Sequence, residues 1–181
     1  MSFWSHARAI VLLPGTVAVL VPAIILLTGR GPDVGWGLEG VAAALPVLAG
    51  AALIGAGLAL LVWTVDLFVR VGKGTLAPWD PTRRLVVAGP YSQVRNPMIT
   101  GVLGILIGEA ALFGSRALLV WAAGFLAVNW AYFALHEEPR LERRFGEEYR
   151  AYRKNVPRWL PRRTAWEPNP GRDPKPPRTR G

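Results

Sequence analysis

The chain has 181 residues, a length suited to one domain, and its 51% hydrophobic content and positive mean hydropathy set it apart from ordinary soluble proteins. It contains no cysteine, which excludes disulfides, thiolate catalysis and cysteine metal sites. Its two histidines, His6 and His136, are too far apart for a zinc cluster, so no metal is implied, and the net charge of +9 reads as membrane topology and leaflet attraction rather than nucleic-acid binding.

In chain order, Ala9 to Thr28 has no charge across 20 residues and Gly40 to Trp63 has none across 24, each long enough for a bilayer core of about 30 Å. Arg8 before the first segment also fits a signal peptide. Twenty apolar residues without a small-x-small cleavage site exceed the usual apolar region of such a peptide and favour a retained helix. Residues 1–66 read as scaffold, broken by Pro14, Pro22 and Pro46, with small residues such as Ala51 and Gly55 permitting close helix packing.

From Asp66 onward, polar groups border every apolar segment. "KGTLAPWDPTRRLVVA" from Lys73, with two X-Pro steps, predicts an extended loop that turns at Gly89-Pro90. Pro97 then suits the first position of a third apolar helix, Pro97 to Ser115. Gly101, Gly104 and Gly108 on this helix fit either helix packing or a groove open to a flat ligand. Glu109 lies inside the segment, where an ionisable side chain costs about 2.5 kcal/mol or more unless paired, protonated or facing water, and is a functional candidate. Asp66 is less pressing, because it stands near its helix end.

A tight turn at Gly114-Ser115 leads to a fourth segment, Ala117 to Leu135. Asn129, Tyr132 and His136 share one helical side, as do Asn129, Phe133 and Glu137, so a polar and aromatic strip approaches the boundary. Beyond Pro139, the apolar stripe Leu141, Phe145, Tyr149 and Tyr152 predicts an amphipathic helix lying on the membrane or folding back over the bundle. Residues 162–181 have the proline-rich basic composition of a solvated, disordered tail.

The expected fold is therefore all-α: a polytopic membrane bundle with four transmembrane helices and a C-terminal amphipathic cytoplasmic helix. Residues 1–161 form a single domain. Five Lys or Arg lie between the second and third segments and thirteen after His136, so the positive-inside rule makes both termini cytoplasmic. The Glu137-Glu138 pair is either a solvated charge cluster or, opposite Arg95 and Asn96, one half of a receptor for a ligand carrying an ammonium and a carboxylate.

"GPYSQVRNPMITG" at 89–101, followed by "HEEPRLERRFGEEYRAYRKNVPRWLP", resembles the isoprenylcysteine carboxyl methyltransferase and phospholipid methyltransferase superfamily of integral membrane enzymes across roughly residues 73–161. The resemblance implies S-adenosylmethionine as cofactor, bound at the cytoplasmic side of the last two spans. Tyr91, Arg95, Asn96, Pro97, Met98 and Gly101 are implied as one wall of that site and His136, Glu137 and Glu138 as another, with the carboxylates on the methionine ammonium. Tyr149, Tyr152 and Arg158 fall in the closing C-terminal block. This chain has Asn96 and Ile99 where the family turn commonly has His and Tyr. Asn hydrogen-bonds but cannot act as a base, and Ile removes a ring contact.

The implied reaction moves a methyl group to a lipophilic acceptor entering from the bilayer, with alignment supplying much of the rate. A carboxylate acceptor needs Arg95 or Arg158 as its grip. An amine or thiol acceptor must lose a proton, for which Glu109 or His136 is the candidate base. Prenylated cysteine, lipids and small hydrophobic acids or thiols all remain open, and the Arg-over-Lys and Ala/Gly bias points to a bacterial source. The competing readings are a non-enzymatic relative that binds a lipid or partner and, more weakly, a transporter, for which the first half offers no paired charges.

Overall fold

The computed structural model describes residues 11–29, 31–70 and 85–168. The loop expected from Lys73 lies outside the described residues up to Arg84, as do Arg8, Arg30 and the tail from Asn169.

A π-helical segment, Val11–Leu20, containing Pro14, continues into helix α1 (Val21–Thr28). Then come α2 (Val41–Arg70), a 3-10 turn (Gly89–Ser92), α3 (Pro97–Phe113) and α4 (Arg116–Tyr132). A π-helical turn, Phe133–Glu137, joins α4 to α5 (Glu138–Phe145), and α6 (Glu147–Asn155) follows. The described residues are helical with no strand, as expected. Val41–Leu67 and Arg116–Phe145 are long and apolar enough to cross a membrane, whereas Pro14–Thr28 and Pro97–Phe113 are apolar but shorter. The 17 residues of α3 cover about 25 Å, less than the roughly 30 Å hydrocarbon core.

Pro97 does open α3, where its missing N–H costs nothing. Gly114, at φ 61°, ends the helix in a left-handed cap, and Ser115 Oγ accepts from the Leu118 N–H to start α4. Only glycine fits at 114, because a Cβ there would strike the Asp33 carbonyl. The same loop donates Asp33 N–H to Phe113 O at 2.8 Å and Trp36 Nε1 to Ala111 O at 3.0 Å, so it covers this end of the bundle.

Helices α2 and α3 run antiparallel with their backbones nearly touching. A Cβ on Gly50 would lie 2.6 Å from Gly108 O, and one on Gly57 would lie 2.6 Å from Gly101 O. The two glycines of each helix are seven residues apart, two full turns, so they share one face. Ala51 and Gly55 do not make this contact: Ala51 is exposed and Gly55 faces open space. Gly55 stands about 160° around the helix from Gly57, on the opposite side. The groove offered by Gly101 and Gly108 is filled by α2, so these glycines serve helix packing. Val102, Ile105 and Leu106 of α3 build the remaining core with Ala122 of α4 and Ala18.

The helix beyond Pro139 is two short helices rather than one. Gly146, at φ +54°, separates α5 from α6. Leu141 and Phe145 pack with Tyr149, Tyr152 and Val156 against Leu85, Val87 and Trp166, so the stripe is covered by protein. Residues 162–168, which composition assigned to the tail, are docked: Arg162 N–H donates to Gln93 O at 3.0 Å and Trp166 N–H to Ser92 O at 2.9 Å. We call residues 156–168 the strap.

Candidate active site

The turn before α3 and the strap meet where α4 passes into α5. Pro139 has no N–H to offer the helix, and the chain absorbs this by widening into the π turn, in which Glu138 N–H reaches Phe133 O. That extra width sets the side-chain directions. Tyr132 and His136 stack on each other, 5.8 Å between centroids, as exposed side chains, and Tyr132 meets Phe133 edge to face at 5.8 Å. Phe133 meets Trp159 of the strap edge to face at 6.2 Å, and Glu137, one turn further on and half-buried, lies on that side of the helix.

Glu138 is the buried centre of the junction. Its Oε1 pairs with Arg95 Nη1 at 2.9 Å and with Arg158 Nε at 2.7 Å, and its Oε2 accepts from Arg158 Nη2 at 2.9 Å. One carboxylate thus holds an arginine of the turn and, bidentately, an arginine of the strap. Two guanidiniums against one carboxylate leave a net charge of +1. A pair this deep (side chains 9% and 11% exposed for Glu138 and Arg95) costs desolvation and survives through its multiple hydrogen bonds. Arg158 also lies over the Trp130 ring at 6.0 Å.

Backbone and phenol contacts fasten the same joint. Arg95 N–H donates to Pro157 O at 2.9 Å, Tyr152 OH donates to Tyr91 O at 2.7 Å, and Arg95 Nη1 reaches Tyr149 OH at 3.4 Å. Burial pushes the Tyr149 phenol above its ordinary value, and the Glu138 charge adds to this against the opposing pull of Arg95. Burial likewise raises Tyr91, with Tyr152 reinforcing it, and raises Tyr152 against the pull of Arg95. All three phenols remain neutral hydrogen-bonding groups.

The structure therefore gathers Tyr91, Arg95, Asn96, Glu138, Tyr149, Tyr152 and Arg158 at one junction. Pro97 is fully buried beneath it and Met98 half-buried. It does not bring in three others. Gly101 meets Gly57 and Leu61 of α2, His136 is exposed beside Tyr132, and Glu109 stands 12 residues beyond Pro97, about 18 Å along α3. Glu138 does not present an open carboxylate, being committed to Arg95 and Arg158. Trp159 escaped the sequence reading, and its only signal there was an aromatic N–H beside Arg158 between Pro157 and Pro161.

Three buried donors at this junction have no hydrogen-bond partner: Arg95 Nε, Asn96 Nδ2 and Trp159 Nε1. Buried donors normally find acceptors. Beside the Arg95–Glu138–Arg158 cluster, they are hydrogen-bonding capacity that an acceptor-rich or anionic group would satisfy.

A model of the phospholipid methyltransferase family matches residues 45–148. The chain belongs to that family. No curated protein and no solved structure matches it. The family match runs from α2 into α6 and takes in the 89–101 turn and both Glu137 and Glu138, while Tyr149, Tyr152 and Arg158 lie beyond its end. Membership makes the chain a membrane methyltransferase acting on lipid-like substrates, in keeping with its two apolar helices of spanning length. The family's methyl donor is S-adenosylmethionine. The unpaired donors suit that molecule chemically, since its carboxylate and adenine nitrogens are acceptors.

Proposed function

We propose that the junction of the 89–96 turn, the α4–α5 joint and the strap binds S-adenosylmethionine and aligns it with a lipophilic acceptor at the cytoplasmic face of a four-span bundle with both termini inside. The observation that carries this reading is the set of three buried, unpartnered donors beside a carboxylate locked between two arginines. The cofactor supplies an electrophilic methyl group. Arg95 Nε, Asn96 Nδ2 and Trp159 Nε1 receive its acceptors, and Glu137 holds the methionine ammonium. Glu138 acts through the arginines: it fixes Arg95 and Arg158, and with them the strap that excludes water. The sulfonium charge, beside Arg95 and Arg158, also favours an acceptor that is itself anionic, such as a carboxylate. Alignment of donor and acceptor carries the acceleration, with no covalent step through the protein.

The test is calorimetric titration of the detergent-purified chain with S-adenosylmethionine and S-adenosylhomocysteine. Saturable binding that weakens at least about tenfold in Glu137→Gln is expected, the scale of one charge-assisted hydrogen bond. Absence of binding in a folded sample would favour the non-enzymatic relative, to which Asn96 and Ile99 already point. Binding should be followed by transfer of labelled methyl into lipid, acid and thiol acceptors.

A further inference from the structure

The outer side of the same turn borders a cleft of about 810 Å³ that the proposed chemistry does not use. Leu60 and Trp63 of α2 face Ala88 and Val94 of the turn segment, and Ala165 and Trp166 of the strap border it as well. Its lining is mostly apolar, and its volume falls within the range of about 300–1,000 Å³ typical of small-molecule sites. Two of the strap-to-turn hydrogen bonds, those at Gln93 O and Ser92 O, hold its walls together. Gly89, at φ +57°, lets the turn lie against Trp63, whose ring carbons would stand 3.4–3.5 Å from a Cβ at that position.

What fills this cleft follows from where it opens. Leu58, Val62 and Trp63 are 49%, 68% and 54% exposed on α2, within the stretch Val41–Leu67 that is long and apolar enough to cross a membrane. Side chains so exposed on such a helix are covered by lipid. The cleft begins on this surface at Trp63, three residues before Asp66, and ends among polar groups at Gln93 and Glu167. Tryptophan at both edges, Trp63 and Trp166, is the side chain suited to the interface between hydrocarbon and water.

We infer that this cleft is a binding site for a bilayer lipid, taking its acyl chain along Leu60, Trp63 and Trp166 and leaving its headgroup at the rim beside Gln93 and Glu167. The turn that carries Arg95 and Asn96 then has lipid on one side and the charged junction on the other. This deepens the methyltransferase reading and rests on it only for the purpose of the bound lipid. The site itself stands on the cleft.

The experiment uses the full chain in detergent micelles, into which a phosphatidylcholine carrying a mid-chain diazirine is titrated as the only phospholipid. Cross-links are mapped by mass spectrometry in the wild type and in Ala88→Trp and Ala165→Trp, two exposed positions on different walls that a tryptophan would use to fill the cleft. Labelling at 60–63, 87–94 and 161–168 should saturate with probe fraction and fall at least fivefold in both variants. Labelling at the exposed Val120 and Val128 of α4 should rise linearly and stay unchanged. Linear labelling at the cleft, or labelling indifferent to both tryptophans, would overturn the site. S-adenosylhomocysteine titration runs in parallel: saturable cleft labelling without nucleoside binding keeps the lipid site and removes the methyltransferase reading. Nucleoside binding with linear cleft labelling does the reverse.

Discussion

The α2–α3 pair and the turn–strap junction are held by opposite means within a few turns of each other. Along α2 and α3 there is almost nothing polar to bond. The helices are joined by backbone approach at Gly50 with Gly108 and Gly57 with Gly101, where any side chain would intrude. At the junction almost everything is polar. A buried carboxylate, two guanidiniums, two phenols and several backbone groups bond one another in a small volume. Lipid gives apolar helices no hydrophobic reason to associate, so shape must do it. Where the chain leaves the bilayer, charge can be gathered and aimed, and there the chain places its unpartnered donors.

The sharpest way to break the first arrangement is Gly57→Leu. Its Cβ alone would sit 2.6 Å from Gly101 O and 3.0 Å from Ile105 N, so the helices must separate. A loss of about 4 kcal/mol or more is expected, read as failure to yield a monodisperse folded peak, whereas Gly55→Leu, in open space, should stay within about 0.5 kcal/mol. Equal tolerance of both leucines would mean that the glycine faces do not hold the pair.

The junction should break at its carboxylate. Glu138→Gln leaves Arg95 and Arg158 buried without a counter-charge, an expected cost of about 3–5 kcal/mol. The strap should loosen first, giving faster proteolysis after Arg158 or Arg162 while the α2–α3 pair stays protected from hydrogen exchange. Glu137→Gln should spare the strap and weaken cofactor binding instead. If the two variants behave alike, the division of labour between the carboxylates fails.

The smallest effect is in pH. Tyr91, Tyr149 and Tyr152 are raised in the fold, so their contribution is fully present below the unfolded phenol value of about 10 and is lost as pH rises through the higher folded values. Absorbance at 295 nm should show these phenols ionising above the ordinary range, together with release of the strap. Ionisation at the ordinary value while the strap remains docked would contradict their burial.

The helical character of the chain, its apolar segments, the opening of α3 at Pro97 and the reversal at Gly114-Ser115 were legible because each depends on local composition or on one residue's backbone preference. The functional end was legible through two motifs, which a linear reading places on either side of a helical hairpin. The phase of contact was not legible. Gly55 and Gly57 look interchangeable in a string of small residues, and only the crossing with α3 shows which one is used. The adjacent carboxylates Glu137 and Glu138 are likewise alike in sequence.

By itself, then, the sequence determined an apolar helical chain of the phospholipid methyltransferase family, with its polar chemistry confined to the 89–101 turn and the segment after α4, because periodicity, proline and charge placement act over a few residues. Only the tertiary structure decided that Glu138 goes to two arginines, that Glu109 and His136 stay apart from them, and that residues 162–168 belong to the folded body. Those outcomes depend on contacts between residues 20 to 74 positions apart, whose geometry no local pattern encodes.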